Sequence, residues 1–151
     1  MITLYKNIGE TPLECLERYR KIKPELKDIP MTYAGRLDPM AQGLLLILIG
    51  DECKEKEKYL GFDKVYDIEV LFGIKTDTGD VLGIISEVKT DKVNIKNINL
   101  NKYKGSFEQS YPIYSSKTVN GEQLHTLARR GDLPDEIPTK SVEIYDIINL
   151  G

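Results

Sequence analysis

A chain of 151 residues, 40 % hydrophobic and 30 % charged, has the composition of a soluble globular protein, which excludes a disordered or disulfide-built chain. The net charge of −3 gives no overall sign of nucleic-acid binding, which normally relies on many Lys and Arg contacts with phosphate. No apolar run reaches the ~18 residues of a membrane span, and the N-terminus lacks an export signal, so we expect a cytoplasmic protein without membrane contact. Two cysteines without CxxC spacing and one histidine are too few for a zinc site, so we expect no metal.

The N-terminal part of the chain predicts a strand near residues 2–5 and then a helix that ends at Pro24. The helix start has the order and spacing of a capping box, formed by Thr11, Pro12 and Glu14. The apolar residues at helical spacing predict a buried stripe of Leu13, Leu16, Tyr19 and Ile22.

The middle of the chain predicts a second strand, a charged helix and a strand pair. Residues 44–49 have the length and flanking glycines of a short, fully buried strand. Asp51 is expected to cap a charged helix that ends at Leu60. Residues 64–74 alternate as a strand does, and residues 83–89 are its natural partner across a turn.

The C-terminal part predicts a helix over residues 95–103, a turn at Asn120-Gly121 that leads into a second helix, and a last strand over residues 139–151. Strands and helices are mixed without regular βαβ alternation. We therefore expect one α+β domain over residues 1–151, with a mixed, largely antiparallel sheet flanked by helices.

Asp38 lies in the segment GRLDPMAQG, residues 35–43, directly before the predicted buried strand. Asp-Pro is a common way to begin a helix, because the carboxylate accepts backbone N–H groups there. Spacing alone therefore favours a helix cap, and a chemical role for Asp38 requires support from other residues.

Three further observations supply that support. The pattern G-x-L-D-P-x-A-x-G, followed by an apolar strand, occurs in YAGRLDPMAQGLLLILIG. The pattern K-x-Y before G-x-x-T-D-T-x-D-x-x-G occurs in DKVYDIEVLFGIKTDTGDVLG. QSYPIYSSKTVNGEQLHTLARRG is close to Q-x-P-P-x-Y-S-A-x-K-x-x-G with a helix ending in A-R-x-G. In this order the segments resemble the TruB family of tRNA pseudouridine synthases, from about residue 2 to about residue 150. The resemblance implies a pseudouridine synthase-like catalytic domain.

The resemblance implies an isomerase that converts a uridine of tRNA, at position 55 in the T loop, to pseudouridine without a cofactor. Such an enzyme breaks the N-glycosidic bond and rejoins uracil through C5, which requires an ionised carboxylate at the ribose and a closed pocket. Asp38 matches that carboxylate, and Tyr66 matches a tyrosine that stacks against the target base. Tyr114 and Lys117 match residues expected to line the pocket or meet phosphate. A strand aromatic and a solvated surface lysine are the alternatives for Tyr66 and Lys117.

The sequence departs from the family pattern at two positions near Asp38. Tyr33 stands where the family usually has a histidine, which is thought to fill the space left by the flipped base. We expect the flat ring of Tyr33 to fill that space here. The second position is Arg36, which gives the order R-L-D found in the related RluA-type synthases. Arg36 either shares a face with Asp38 or forms a surface salt bridge with it.

Complete members continue with a segment like K-G-x-Y-I-R, whose arginine pairs with the catalytic aspartate, and with an RNA-binding tail domain. The sequence ends at Gly151, before both. We hypothesise that Arg36 takes the place of that arginine. The alternatives are a minimal member, a fragment, or one part of a split synthase that a second polypeptide completes.

Two other features have structural interpretations. Residues 75–83 lack the order of a calcium loop, so their Asp and Thr side chains are expected to organise a turn. His125 is expected at a partly exposed helical position. A non-catalytic RNA-binding or RNA-folding protein is the alternative function, and a small globular protein whose motifs are only caps and turns is a third.

Overall fold

The computed structural model describes residues 1–91, 94 and 98–150. The chain groups into two compact units, Met1–Asp67 and Ile68–Gly151. Each unit combines helical segments with antiparallel strands, which confirms the predicted α+β class. A single catalytic domain over residues 1–151 stays a prediction. Across the described part of the chain, no helix has the length and apolar character needed to cross a membrane.

The first unit is a three-stranded antiparallel sheet with two helices. Its elements are β1 (Ile2–Lys6), α1 (Pro12–Ile22), β2 (Met31–Ala34), β3 (Gly43–Ile49) and α2 (Lys56–Leu60), with 3₁₀ turns at Pro24–Leu26 and Gly50–Glu55. The strand order is β1-β3-β2, so Ile47 of the central strand pairs with Ile2 on one side and Tyr33 on the other. The most apolar strand therefore occupies the central position.

The core of this unit lies between α1 and the sheet, where four residues are buried: Cys15, Leu16, Leu45 and Ile47. Burial of each large aliphatic side chain contributes about 1.5–3 kcal/mol. The predicted helix stripe is correct at Leu16 and wrong at its ends, because Leu13 is 57 % and Ile22 is 66 % exposed. The sheet covers only the middle of α1, on the side that also holds Cys15.

The capping box at the start of α1 is confirmed. The hydroxyl of Thr11 accepts the backbone N–H of Glu14 at 3.2 Å, and the Glu14 carboxylate accepts the backbone N–H of Thr11 at 2.7 Å. The helix ends before Pro24, as predicted. Local sequence alone therefore determines both ends of this helix.

Two predictions for the segment after β2 are wrong in part. Leu44 is exposed, so β3 is not buried along its whole length. Asp51 lies inside the 3₁₀ turn Gly50–Glu55 and caps no helix, although the helical segment does end at Leu60. Asp51 instead accepts a hydrogen bond from Lys54 at 2.7 Å.

In the second unit, the residues that the structure describes form three two-stranded antiparallel ribbons and one short helix. Its elements are β4 (Ile74–Thr76), β5 (Ile85–Val88), β6 (Gly105–Ser110), β7 (Thr118–Val119), β8 (Glu122–Gln123), α3 (Leu124–Arg130) and β9 (Thr139–Ile144), with a 3₁₀ turn at Leu100–Tyr103. The ribbons are β4–β5, β6–β9 and β7–β8. Asn120 and Gly121 both have positive φ, which is the geometry of a tight hairpin turn between β7 and β8 and agrees with the predicted turn.

The strand predicted over residues 64–74 is mostly wrong. Residues 63–71 have no regular secondary structure, and only Ile74–Thr76 pairs with the predicted partner. Val65 is 96 % exposed. An alternating pattern forms a strand only where a partner completes its hydrogen bonds, and the ladder with β5 begins at Ile74.

Two other boundaries differ from prediction. Of the helix predicted over residues 95–103, residues 95–97 lie outside the described residues, and Leu100–Tyr103 forms a 3₁₀ turn. The last strand ends at Ile144, because its partner β6 begins at Gly105, the residue opposite Ile144.

Candidate active site

Asp38 lies in a tight turn that joins β2 to β3. Its backbone carbonyl accepts the N–H of Ala41 at 2.9 Å, and Gly35 and Gly43 on either side have positive φ, which favours glycine at both positions. The helix-cap interpretation of Asp38 is wrong, since β3 begins at Gly43 and no helix follows the turn. The Asp38 side chain is exposed.

The turn is anchored to the segment after β1. The backbone N–H of Gly9 donates to the carbonyl of Pro39 at 2.7 Å. The preceding Lys6 is fully buried, and its ammonium group donates to the carbonyls of Asn7 at 3.0 Å and Glu10 at 2.6 Å. The segment that holds the Asp38 turn is therefore itself held by a buried cation.

Burial of Lys6 was not predicted, although the sequence contains a signal for it. Ile2, Leu4 and Lys6 alternate along β1 and so share one face of the strand. A lysine on the inward face of a strand is buried only when its ammonium group finds hydrogen-bond acceptors, and the loop carbonyls supply them.

A second contact ties α1 to the same segment. Arg18 donates to the carboxylate of Glu10 at 2.6 Å and to the carbonyl of Tyr5 at 2.8 Å. This hydrogen bond from Arg18, together with one from the backbone of Asn7, lowers the pKa of Glu10 to about 2. Glu10 is therefore ionised at all physiological pH values.

Tyr33 and Arg36 lie on the β2 side of the turn. The Tyr33 ring is half-buried against the core, and the ammonium group of Lys56 lies 5.4 Å from its centroid. Arg36 is exposed, two residues before Asp38. The structure thus brings these residues to the same end of the sheet as Asp38, while their chemical roles stay predictions.

Tyr66 belongs to the last residues of the first unit and is 67 % exposed. Lys64, the lysine of the K-x-Y motif, folds back and donates to the carbonyls of Leu60, at 3.0 Å, and Phe62. The motif lysine therefore organises the backbone after α2, and the Tyr66 ring stays accessible.

Tyr114 and Lys117 belong to the second unit, where α3 holds their segment. The backbone N–H of Leu124 donates to the Lys117 carbonyl at 2.8 Å. His125 contacts the Ser115 carbonyl twice at 3.1 Å, through its backbone N–H and through its ring Nδ1. Because a carbonyl only accepts hydrogen bonds, Nδ1 carries the proton in this contact. The half-buried helical position predicted for His125 is confirmed, and its contact with Ser115 was missed.

The acidic loop between β4 and β5 is a turn, as predicted. One oxygen of Asp77 accepts the backbone N–H groups of Thr78 and Ile84, at 2.9 and 2.7 Å. One oxygen of Asp80 accepts the Thr78 hydroxyl and the Leu82 N–H, at 2.7 and 2.9 Å. Among the residues that the structure describes, no group of three or more metal-binding side chains is present.

Comparison with known proteins identifies the family. The model for TruB family pseudouridylate synthase (N terminal domain) matches residues 23–150. tRNA pseudouridine synthase B of Trichormus variabilis is 37 % identical over 149 residues, which covers 97 % of this chain and 49 % of the relative. tRNA pseudouridine synthase B of Bacillus subtilis is 35 % identical over 152 residues, with 97 % and 48 % covered.

A third relative has a similar identity. tRNA pseudouridine synthase 4 of Saccharomyces cerevisiae is 38 % identical over 133 residues, which covers 85 % of this chain and 33 % of the relative. The chain thus spans half or less of the length of these curated relatives. The family match over most of the chain, together with these identities, confirms the resemblance seen in the three motif segments: the chain belongs to the TruB family of pseudouridylate synthases.

Proposed function

We propose that the chain isomerises a uridine of tRNA to pseudouridine, with Asp38 as the catalytic carboxylate. The observation that carries this proposal is the position of Asp38, exposed in a hydrogen-bonded turn at the end of the sheet, within the family-matched segment. The turn fixes the backbone of Asp38 and leaves its carboxylate accessible to a ribose, as nucleophilic or general-base chemistry requires.

The other predicted site residues have supporting roles in this proposal. The accessible ring of Tyr66 stacks on the flipped uracil, and Tyr33 fills space beside the base. Arg36, two residues before Asp38, takes the place of the arginine that pairs with the catalytic aspartate in complete members of the family. Tyr114 and Lys117 line the pocket or contact phosphate.

The proposed substrate is the uridine at position 55 in the T loop, since the relatives are named as tRNA pseudouridine synthases. A second polypeptide that completes the site is part of the proposal to be tested. The expected cytoplasmic location stays a prediction.

The test is conversion of an unmodified T stem-loop RNA by the purified chain, with pseudouridine mapped by position. Asp38→Asn is expected to reduce the rate by roughly a thousandfold or more, because an amide is not a nucleophile or base. Asp51→Asn is the matched control, since Asp51 is an exposed aspartate of the same unit, and it is expected to keep the wild-type rate.

Product formation by the wild-type chain alone shows that no second polypeptide is needed. Tight RNA binding without product contradicts the proposed activity and favours the non-catalytic RNA-binding alternative. Equal rates for Asp38→Asn and wild type contradict the role of Asp38.

A further inference from the structure

Two lysines of the second unit place their ammonium groups over one aromatic ring. The Nζ atom of Lys117 lies 4.8 Å from the ring centroid of Tyr111, and the Nζ atom of Lys140 lies 5.7 Å from it. Lys140 is on β9, whereas Lys117 precedes β7, so the fold and not the local sequence brings both cations to this ring. The backbone N–H of Tyr111 donates to the Pro138 carbonyl at 2.9 Å, which holds the ring beside the start of β9.

The β6–β9 ribbon places no carboxylate on the face that carries Lys140. Lys140 is opposite Gln109 in the antiparallel register, whereas Glu108 is opposite Ser141 and Glu143 is opposite Ser106. Because successive side chains of a strand point to opposite faces, both glutamates lie on the face away from Lys140.

Two other carboxylates of this unit have partners of their own. Glu122 forms a bidentate ion pair with Arg130, and Asp146 pairs with Lys104. Among the residues that the structure describes, no ion pair joins Lys117 or Lys140 to a carboxylate.

Two ammonium groups on one ring are a favourable site for an anion. The π system of Tyr111 attracts each cation but carries no net charge, so both ammonium groups keep their charge for a bound anion. Lysine ammonium groups bind phosphate as flexible point charges and need no planar, bidentate geometry.

We propose that Lys117 and Lys140 bind backbone phosphates of the RNA strand, with Tyr111 as the positioning residue that holds both ammonium groups at one ring. The site adds Tyr111 and Lys140 to the residues predicted from sequence. It rests on the proposed function, because the substrate tRNA supplies the phosphodiester.

The experiment measures binding of the wild-type chain and its variants to a T stem-loop RNA at several KCl concentrations. Lys140→Gln and Lys117→Gln are each expected to lower the magnitude of the slope of log affinity against log salt concentration by about 0.7–1, since each removes one phosphate contact. Tyr111→Leu is expected to weaken binding about tenfold, because the lysines lose the ring that gathers them. Tyr111→Phe keeps an aromatic face and is expected to restore most of that loss.

Lys102→Gln is the matched control, because the Nζ atom of Lys102 also lies 4.8 Å from a tyrosine centroid, that of Tyr103. Because that pair has a single lysine, Lys102→Gln is expected to keep the wild-type salt slope. Circular dichroism of each variant distinguishes a binding defect from a folding defect. If Lys140→Gln and Lys102→Gln have the same salt slope as wild type, or if Tyr111→Phe binds no better than Tyr111→Leu, the proposal is overturned.

The two proposals fail in different ways. A wild-type chain that forms pseudouridine while Lys140→Gln keeps the full salt slope refutes the phosphate site alone. A wild-type chain that forms no product, but whose salt slope falls in Lys140→Gln, refutes the catalytic proposal and supports the phosphate site. A wild-type chain that binds no RNA overturns both.

Discussion

At the scale of single residues, Gly83 has no room for a side chain. A Cβ atom there would lie 2.2 Å from the Thr78 hydroxyl oxygen and 2.7 Å from a carboxylate oxygen of Asp77. Both oxygens already hold the acidic loop through hydrogen bonds, so a shift of either oxygen weakens those hydrogen bonds. The family motif thus ends in a glycine for a steric reason that is visible only in the folded loop.

Gly83→Ala is therefore expected to lower the free energy of unfolding by about 1–3 kcal/mol. Urea denaturation measures the change. Gly61→Ala is the control, because Gly61 has an ordinary φ of −78° and no atom within 4 Å of the added Cβ, and it is expected to be neutral or slightly stabilising. Equal destabilisation by both substitutions would contradict the steric account.

Arg36 is the second residue with a testable role. It is proposed to take the place of the family arginine two residues before Asp38, so Arg36→Ala is expected to lower the isomerisation rate at least about tenfold. Arg36→Lys keeps the charge and is expected to retain more of the rate. The single-turnover rate on the T stem-loop RNA is the measurement. An unchanged rate in Arg36→Ala, with activity lost in Asp38→Asn, would show that Arg36 does not take the place of the family arginine.

At the scale of elements, the contact of α1 with the segment after β1 is strengthened by ionised Glu10. Folding lowers the pKa of Glu10 from its ordinary value of 4.5 to about 2, chiefly through the hydrogen bond from Arg18. The pair therefore contributes its full stabilisation above about pH 4.5 and loses it as the pH falls towards 2. Because the Arg18 side chain is 44 % exposed, solvent limits this stabilisation to about 1 kcal/mol or less.

Glu10→Gln is expected to lower the urea midpoint at pH 7 and to leave it close to that of wild type near pH 2. Glu25→Gln is the control, since Glu25 is exposed and its oxygen lies 3.9 Å from the Lys23 ammonium group. A difference between Glu10→Gln and wild type that is the same at both pH values would show that the lost contact is not ionic.

At the scale of the whole molecule, the segment between α2 and β4 is the expected site of proteolysis. Residues 61–72 are all exposed, residues 63–71 have no regular secondary structure, and the division between the two units falls within this segment. Exposed segments of this kind are cleaved before helices and paired strands. Limited chymotrypsin digestion, read by mass spectrometry, is expected to cut first after Phe62, Tyr66 or Phe72. A first cut inside α1 or β3 would contradict this expectation.

A large part of the fold follows from local sequence. The capping box of Thr11 and Glu14 determines where α1 begins, Asn120-Gly121 determines the β7–β8 hairpin, and Gly131 in the left-handed conformation ends α3. These features depend on hydrogen bonds and backbone angles within a few residues, so their sequence patterns are sufficient. The family and the candidate Asp38 likewise follow from the order of short motifs.

The tertiary structure decided the features that depend on which surfaces meet. It buried Cys15 and exposed Leu13 on the same helix, left residues 63–71 without a strand partner, and enclosed Lys6. Periodicity shows which side chains share a face, but burial depends on whether another element covers that face. Asp38 shows both contributions: its motif marked the residue, and only the path from β2 to β3, anchored at Gly9, decided that a turn and not a helix holds it.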